Sequence, residues 1–372
     1  MSVRATDDAI AELRSRIGRD IRINASPYLT EASADAIRHW AEAIGDRNPL
    51  FTDPEHAARS RWGGLIAPPT ILFAFDRQSI GYRGGLPGVH AFFAGCDWRF
   101  ERPIRVGDRI SAQVRFKDLV ELSSRFAGRM FKQVSEITFR TTAGEKVAAG
   151  DSWGMRIERA DASERTKYRA LEPATYTRHQ LEVVAARYRG EMVRGARPLW
   201  WEDVRDGDEL PSIVRGPYTV TTAIAFEQGW GGLFIQTHGR WFEFLERHPD
   251  GGIANEQGIP EPPERVHWDV PFARTAGVPT AYDYGPERVS WLGTLVTNWA
   301  GDEGVLRQLS VEVRRFNLIG DLSTCEGRVL GKRIEGGEHQ VDIELSVTDQ
   351  RGEETAKGQA TVVLPSRVPG KT

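Results

Sequence analysis

The chain repeats itself at long period, and that repeat limits its possible folds more than any single motif. One copy begins near Ile21 and the other near Leu210. Pro27-Tyr28-Leu29-Thr30 leads into a stretch where Ile37, Trp40, Ala41 and Ile44 recur at three- and four-residue spacing. That spacing predicts a helix with one apolar face. Pro217-Tyr218-Thr219-Val220-Thr221 leads into a second helical pattern. Thr30 is the expected cap of the first helix, and Thr219 or Thr221 that of the second. Further on, Asp53, Ala57 and Gly63-Gly64 answer to Asp269, Ala273 and Gly277. A loop then leads each time into an apolar stretch, Pro69 to Phe75 in the first half and roughly residues 286–299 in the second. Each is read as a longer helix.

Strands follow. Trp98 to Asp108 parallels Val311 to Asp321, and both run into alternating segments. These carry Ile110, Ala112, Val114 and Phe116 in one half, and Cys325, Gly327 and Val329 in the other. Two further strands are predicted in each half, near residues 131–140 and 146–157, then 340–348 and 353–364. Alternation of this kind suits antiparallel strands with one buried face. Helices followed by a run of strands make each half α+β. A long helix must bury its apolar face, and a curved antiparallel sheet wrapped around it does so. This is the hotdog arrangement. Two tandem hotdog domains are expected, at residues 1–157 and 198–372, packed as a pseudo-dimer within the chain. Residues 158–197 read as a linker packed on the outside, helical near 177–193. Residues 233–265 read as an insertion in the second domain, with a helical piece from Gly239 to Glu246 and prolines at 260, 262 and 263. A loop of this length is often a lid or binding loop, and otherwise a surface excursion.

Composition sets the class. The chain has 372 residues, 40% hydrophobic and 27% charged, as in soluble globular proteins of more than one domain. A net charge of -3 gives no whole-chain pull toward nucleic acid or anionic membrane. Two cysteines, Cys96 and Cys325, make no disulfide framework and suit a reducing compartment. No run of eighteen apolar residues is present, and Met1 to Asp20 lacks the apolar stretch of a signal peptide. A cytoplasmic location is therefore expected. Eleven tryptophans serve core packing, or line an apolar tunnel for a ligand.

Gly45-Asp-Arg-Asn-Pro-Leu-Phe-Thr-Asp53 resembles the hydratase motif of MaoC-like proteins, Gly-Asp-x-Asn-Pro-x-His-x-Asp. Asp46, Asn48, Pro49 and Asp53 match, while Phe51 stands at the histidine position. The second half shows the complementary loss. His267-Trp-Asp269 matches the His-x-Asp part, but Trp230-Gly231-Gly232 stands where Gly-Asp is expected. Ala281-Tyr-Asp-Tyr-Gly285 replaces the Ala-His-Gly stretch common before the family's central helix. The resemblance runs over nearly the whole chain. It implies a double-hotdog enoyl-CoA hydratase or 3-hydroxyacyl-CoA dehydratase, a lyase of lipid metabolism. In such members one half keeps a working site and the other shapes a pocket for a bulky acyl group.

Hydrating an enoyl thioester needs a base for water, an acid for the α-carbon and donors for the enolate oxygen. It calls for no metal or redox cofactor. His267 is the leading acid–base candidate, since histidine exchanges protons near neutral pH. The plain alternative is a histidine that caps a turn. Its carboxylate partner is open: Asp46 holds the family position in the other half, Asp269 falls on the same face as His267 if the segment is extended, and Asp283, Glu256 and Glu261 are further options. Asp46 and Asn48 also suit a simple turn. Tyr282, Asp283, Tyr284 and Gly285 are candidates for binding substrate, the tyrosines serving core packing equally well. The start of a central helix suits the thioester carbonyl, near Gly285 in the second half or Ala67 in the first. Arg99, Arg102, Arg105, Arg314 and Arg315 are candidates for CoA phosphates, or guard a sheet edge. The expected partner is an acyl-CoA or an acyl carrier protein thioester, and the expected assembly a homodimer of double-hotdog chains. A hotdog thioesterase and a catalytically decayed acyl-CoA-binding or structural subunit are the rival readings.

Overall fold

A computed structural model describes residues 5–21, 27–76, 78–81, 84–86, 89–124, 128–157, 171–231, 236–275 and 278–368. Gly232, Gly277 and the first part of the linker, residues 158–170, lie outside them. The first half contributes strands β1 (Asp20–Ile21), β2 (His90–Phe100), β3 (Ile110–Ser124), β4 (Gly128–Thr141) and β5 (Lys146–Ile157). The second contributes β6 (Ile213–Arg215), a small separate hairpin of β7 (Ile253–Ala254) and β8 (Pro260–Glu261), then β9 (Val305–Val313), β10 (Ser323–Glu335), β11 (Glu338–Asp349) and β12 (Glu354–Val363). Ten of these form one sheet in the order β1-β3-β4-β5-β2-β9-β12-β11-β10-β6. Exchanging the halves reverses that order onto itself. The centre is the antiparallel pairing of β2 with β9, where Asp97 faces Ser310. The fold is a double hotdog, as the repeat implies.

The helices obey the same pseudo-symmetry. They are α1 (Asp7–Arg14), α2 (Ala34–Ile44), α3 (Pro49–Thr52), α4 (Pro54–Arg59), α5 (Leu72–Phe75), α6 (Arg178–Arg189), α7 (Val220–Trp230), α8 (Gly239–Arg247), α9 (Val270–Thr275) and α10 (Gly285–Ala300). Helices α2 and α7 are equivalent. Both end on left-handed glycines, Gly45 at φ 67° and Gly231 at φ 85°. Thr219 caps α7, accepting the Thr222 N–H. Ser33, not Thr30, caps α2, accepting the Ala36 N–H. The reason is that residues 30–32 are still tied to the strand edge, where Thr30 accepts the Ile110 N–H and the Ala32 N–H reaches Asp108. The two helices cross at the pseudo-axis, with Trp40 and Phe226 rings 5.8 Å apart.

The central helices are unequal. Helix α10 is buried along nearly its whole length, polar residues included. Its counterpart is shorter than the apolar pattern suggests: a 3-10 turn, Pro69–Ile71, followed by the single turn α5. Ile71 to Phe75 are all buried, so no polar face guides the chain onward. Asp76 is extended and accepts the Gln78 N–H, which turns the backbone away from helix. The Phe73 carbonyl accepts the Trp230 indole N–H from the other half. The described part of the linker clasps the second half. Tyr176, just before α6, and Tyr188, in its last turn, donate to the Gly320 and Gly216 carbonyls, and Thr177 caps that helix.

Candidate functional site

The first-half motif folds into a set of caps. The turn at Gly45 directs Asp46 inward, where it is buried. Its Oδ1 accepts the Asn48 N–H at 2.9 Å and its Oδ2 accepts the Thr294 hydroxyl at 2.8 Å. Burial pushes its pKa up, against the pull of those two donors and of Arg215. Asn48 caps α3 by accepting the Leu50 N–H, and Asp53 caps α4 by accepting the Glu55 and His56 N–H groups. Phe51 lies in the apolar core.

The second-half motif folds differently. His267 ends a 3-10 turn, Pro263–His267, that closes the insertion. Its Nδ1 is 2.8 Å from the Tyr282 carbonyl. A carbonyl only accepts, so Nδ1 carries the proton and Nε2 is the basic nitrogen. The ring stacks on Tyr284 at 3.8 Å and meets Tyr282 edge-on at 4.8 Å. Burial first, and then the Glu227 carboxylate beside its hydroxyl, raise the Tyr284 pKa well above its ordinary value, with Glu264 adding to the effect. Glu264 precedes His267 by three residues. In a 3-10 turn such positions are eclipsed, so the two side chains stand over the same face. Both Glu264 oxygens are buried. His267, Tyr284, Glu227 and Glu264 thus gather at the start of α10, closed from the first half by Phe93 of β2. A Cβ added to Gly285 would lie 2.5 Å from that phenyl ring.

The other candidates are distributed by function in the fold. Asp46 and His267 are not brought together. Thr294 holds one and Tyr284 touches the other, ten residues apart on one helix, about 15 Å at 1.5 Å per residue. Asp269 accepts the Phe272 N–H at the start of α9 and faces Arg265. Asp283 forms a buried ion pair with Arg288, Oδ2 to Nε 2.8 Å, and burial pushes its pKa up to about 7. Glu256 is exposed, and Glu261 accepts from Asn255. Arg102, Arg314 and Arg315 are engaged with Asp108, Glu354 and Glu353. Among the described residues no three His, Cys, Asp or Glu side chains gather as a metal site. No helix among them is long and apolar enough to cross a membrane.

Comparison with known proteins places this geometry. A family model described as a FAS1-like dehydratase domain region matches residues 17–149. A UPF0336 protein of Thermobifida fusca is 32% identical over 154 residues, 40% of this chain and 95% of the relative. A 3-hydroxybutyryl-CoA dehydratase of Methylorubrum extorquens is 30% identical over 112 residues, 30% of this chain and 70% of the relative. Among solved structures, a MaoC-like dehydratase superposes with a TM-score of 0.65 at 17% identity, covering 95% of this chain and 99% of that one. The chain belongs to the MaoC-like dehydratase family. A Mycobacterium tuberculosis protein described as a double hotdog fold superposes with a TM-score of 0.53 at 12% identity, covering 94% of this chain and 96% of that one. For this MaoC-like chain the family-model match falls wholly in the half whose histidine position is Phe51, while the fold likeness spans both halves.

Sequence reasoning missed Glu227 and Glu264. Aligning the two equivalent helices, Ala34 with Val220, puts Glu227 opposite Ala41, a buried apolar position. A carboxylate on the inward face of a helix was the available signal. Glu264 carried none beyond its distance of three from His267, which matters only once the turn is 3-10.

Proposed function

We propose that the chain reversibly hydrates an enoyl thioester, an acyl-CoA or an acyl carrier protein thioester with a bulky acyl group, at the His267 site. The observation that carries this reading is the His267 ring, held by Nδ1 on the Tyr282 carbonyl and stacked on Tyr284, the ring that Glu264 also approaches. Nε2 takes a proton from water as the water oxygen bonds to the β-carbon. Glu264 gives a proton to the α-carbon and regains one from the His267 imidazolium, which returns both groups to their starting forms. The thioester oxygen carries the charge between these events, and the start of α10 near Gly285 offers backbone N–H and the positive end of the helix dipole to it. In the reverse direction the same groups exchange roles and water leaves. Glu227 acts through Tyr284, keeping that ring against the imidazole. The dehydratase and hydratase names of sequence relatives support the reaction class.

The test follows loss of the conjugated double-bond absorbance over a panel of enoyl-CoA thioesters. His267→Ala is expected to lower kcat by roughly 10²-fold or more, as for loss of a general acid–base group, with Glu264→Gln similar. Glu227→Gln should have a smaller effect. Wild-type turnover in His267→Ala would sink the assignment. Release of free thiol without loss of that absorbance would make the protein a thioesterase instead.

A further inference from the structure

Arg265 stands between Glu264 and His267 in the turn that ends the insertion, and it is buried to 4% exposure. A buried guanidinium needs partners, because desolvation of an unpaired charge is costly. Here one hydrogen bond, from Nη2, and two longer charge contacts, of Nε and Nη1, which make no hydrogen bond among the described residues, come from the two sides of the turn. Toward the insertion, Nη2 donates to the Ala254 carbonyl of β7 at 3.3 Å, and Nη1 is 3.9 Å from Glu261 of β8. Toward the body of the domain, Nε is 3.6 Å from Asp269, and the guanidinium lies 4.0 Å over the Phe272 ring of α9. The Arg265 carbonyl also accepts the Trp268 and Asp269 N–H groups. The hairpin that Arg265 grips is itself packed on α8, where the Trp241 indole donates to the Pro260 carbonyl at 2.7 Å.

We propose that Arg265 is a positioning residue that makes the insertion a buttress for the acid–base pair. It clamps the β7–β8 hairpin to α9 and so sets the direction in which the intervening turn presents Glu264 and His267. The bond from Nδ1 to Tyr282 fixes one side of the imidazole; the Arg265 clamp fixes the backbone that carries it. A lysine ammonium is a point charge and cannot hold a carbonyl, two carboxylates and a ring face at once. The inference rests on the hydratase reading of His267, and its test has a readout that does not need turnover.

Arg265→Met keeps the stem over Phe272 and removes the charge; Arg265→Lys and Glu261→Gln are made beside it. The kinetic readout is kcat and KM for an enoyl-CoA thioester. The second readout is the 15N–1H correlation of the His267 ring, which reports the tautomer. Arg265→Met is expected to lower kcat by about 10²-fold, as small misplacements of reacting groups do, with KM changed by roughly threefold or less. Its ring should lose the single Nδ1–H tautomer. Arg265→Lys should recover part of both, and Glu261→Gln should shift both in the same direction by less. Unchanged kcat with an unchanged ring signal in Arg265→Met overturns the proposal, as does a loss confined to KM. If Arg265→Met does not fold, Glu261→Gln decides by the same two readouts. Should the wild type turn over no thioester, the hydratase reading fails, while the ring signal still decides whether Arg265 positions His267.

Discussion

A carboxylate on a buried surface needs a reason, since burial opposes its charge. Asp46, Glu227 and Glu264 have different reasons. Asp46 is bonded on both oxygens, to its own turn and to Thr294 of the opposite half. Asp46, at the position of the motif's first carboxylate, thus also ties the two halves together. Next to it, Arg215 pairs with Glu191 and donates to the Gly45 carbonyl, so three segments meet there. Burial favours the proton on Asp46, and an amide can replace a protonated carboxyl closely. Asp46→Asn is therefore expected to keep hydration within about twofold, whereas Asp46→Leu, which strands the Thr294 hydroxyl and the Asn48 N–H, should lose about 1–3 kcal/mol of stability. Chemical denaturation with the absorbance assay on the same samples checks this. A fall in kcat for Asp46→Asn as large as for Glu264→Gln would return Asp46 to the reaction.

Helices α2 and α7 make one of the contacts between the halves, and small residues allow it. A Cβ at Gly229 would lie 2.5 Å from Ala43 Cβ and 2.7 Å from the His39 carbonyl oxygen. Gly229→Ala should therefore destabilise by about 1–3 kcal/mol, since added atoms in a close-packed contact force a shift. Adding Ala43→Gly should return part of that loss in a double-mutant cycle. Additive losses would show that the two residues do not limit the approach. Elements with a strong period were legible in the sequence: both of these helices, the helix Gly239–Arg247, and the later strands of each half; the two central strands were not, since β2 (His90–Phe100) and β9 (Val305–Val313) overlap the segments read as strands, Trp98 to Asp108 and Val311 to Asp321, by three residues each. The stub Leu72–Phe75 was not, because a run apolar on every side has no period and its length is set by what packs around it. The sequence singled out His267 but offered no carboxylate beside it at the family's spacing. Glu227 and Glu264, which both lie near Tyr284, were hidden because one comes from a helix and the other from a 3-10 turn.

At the scale of the whole molecule, the two halves share one sheet and one continuous apolar core, but not equal central helices. The second half wraps a full central helix whose buried polar residues are held by ions and hydrogen bonds. Asp283 pairs with Arg288, and Glu287 accepts from the Tyr218 hydroxyl at 2.6 Å and the Tyr284 N–H at 3.0 Å. Burial pushes the pKa of Asp283 up to about 7 and that of Glu287 well above its ordinary value. A carboxyl with a raised folded pKa binds its proton more tightly in the fold than in the open chain. Its stabilisation is complete below the unfolded pKa, near 4, and is lost as pH rises through the folded value. For Asp283 the loss runs from about pH 4 to about pH 7, with a slope on the order of 1 kcal/mol per pH unit, and levels off above. Below that window the opposite group takes over: burial is slight around Glu338, and Arg307 holds its pKa down, so its contribution is lost on acidification. The melting temperature should therefore be highest near pH 4 and fall toward pH 7, and Asp283→Asn should flatten that fall while keeping an acceptor for Arg288. Thermal melts across this range decide it. A melting temperature that rises from pH 5 to pH 7 would mean that Asp283 and Glu287 both hold their charge at the root of the central helix, and the start of that helix would then be a poorer place for a developing enolate than the site geometry requires.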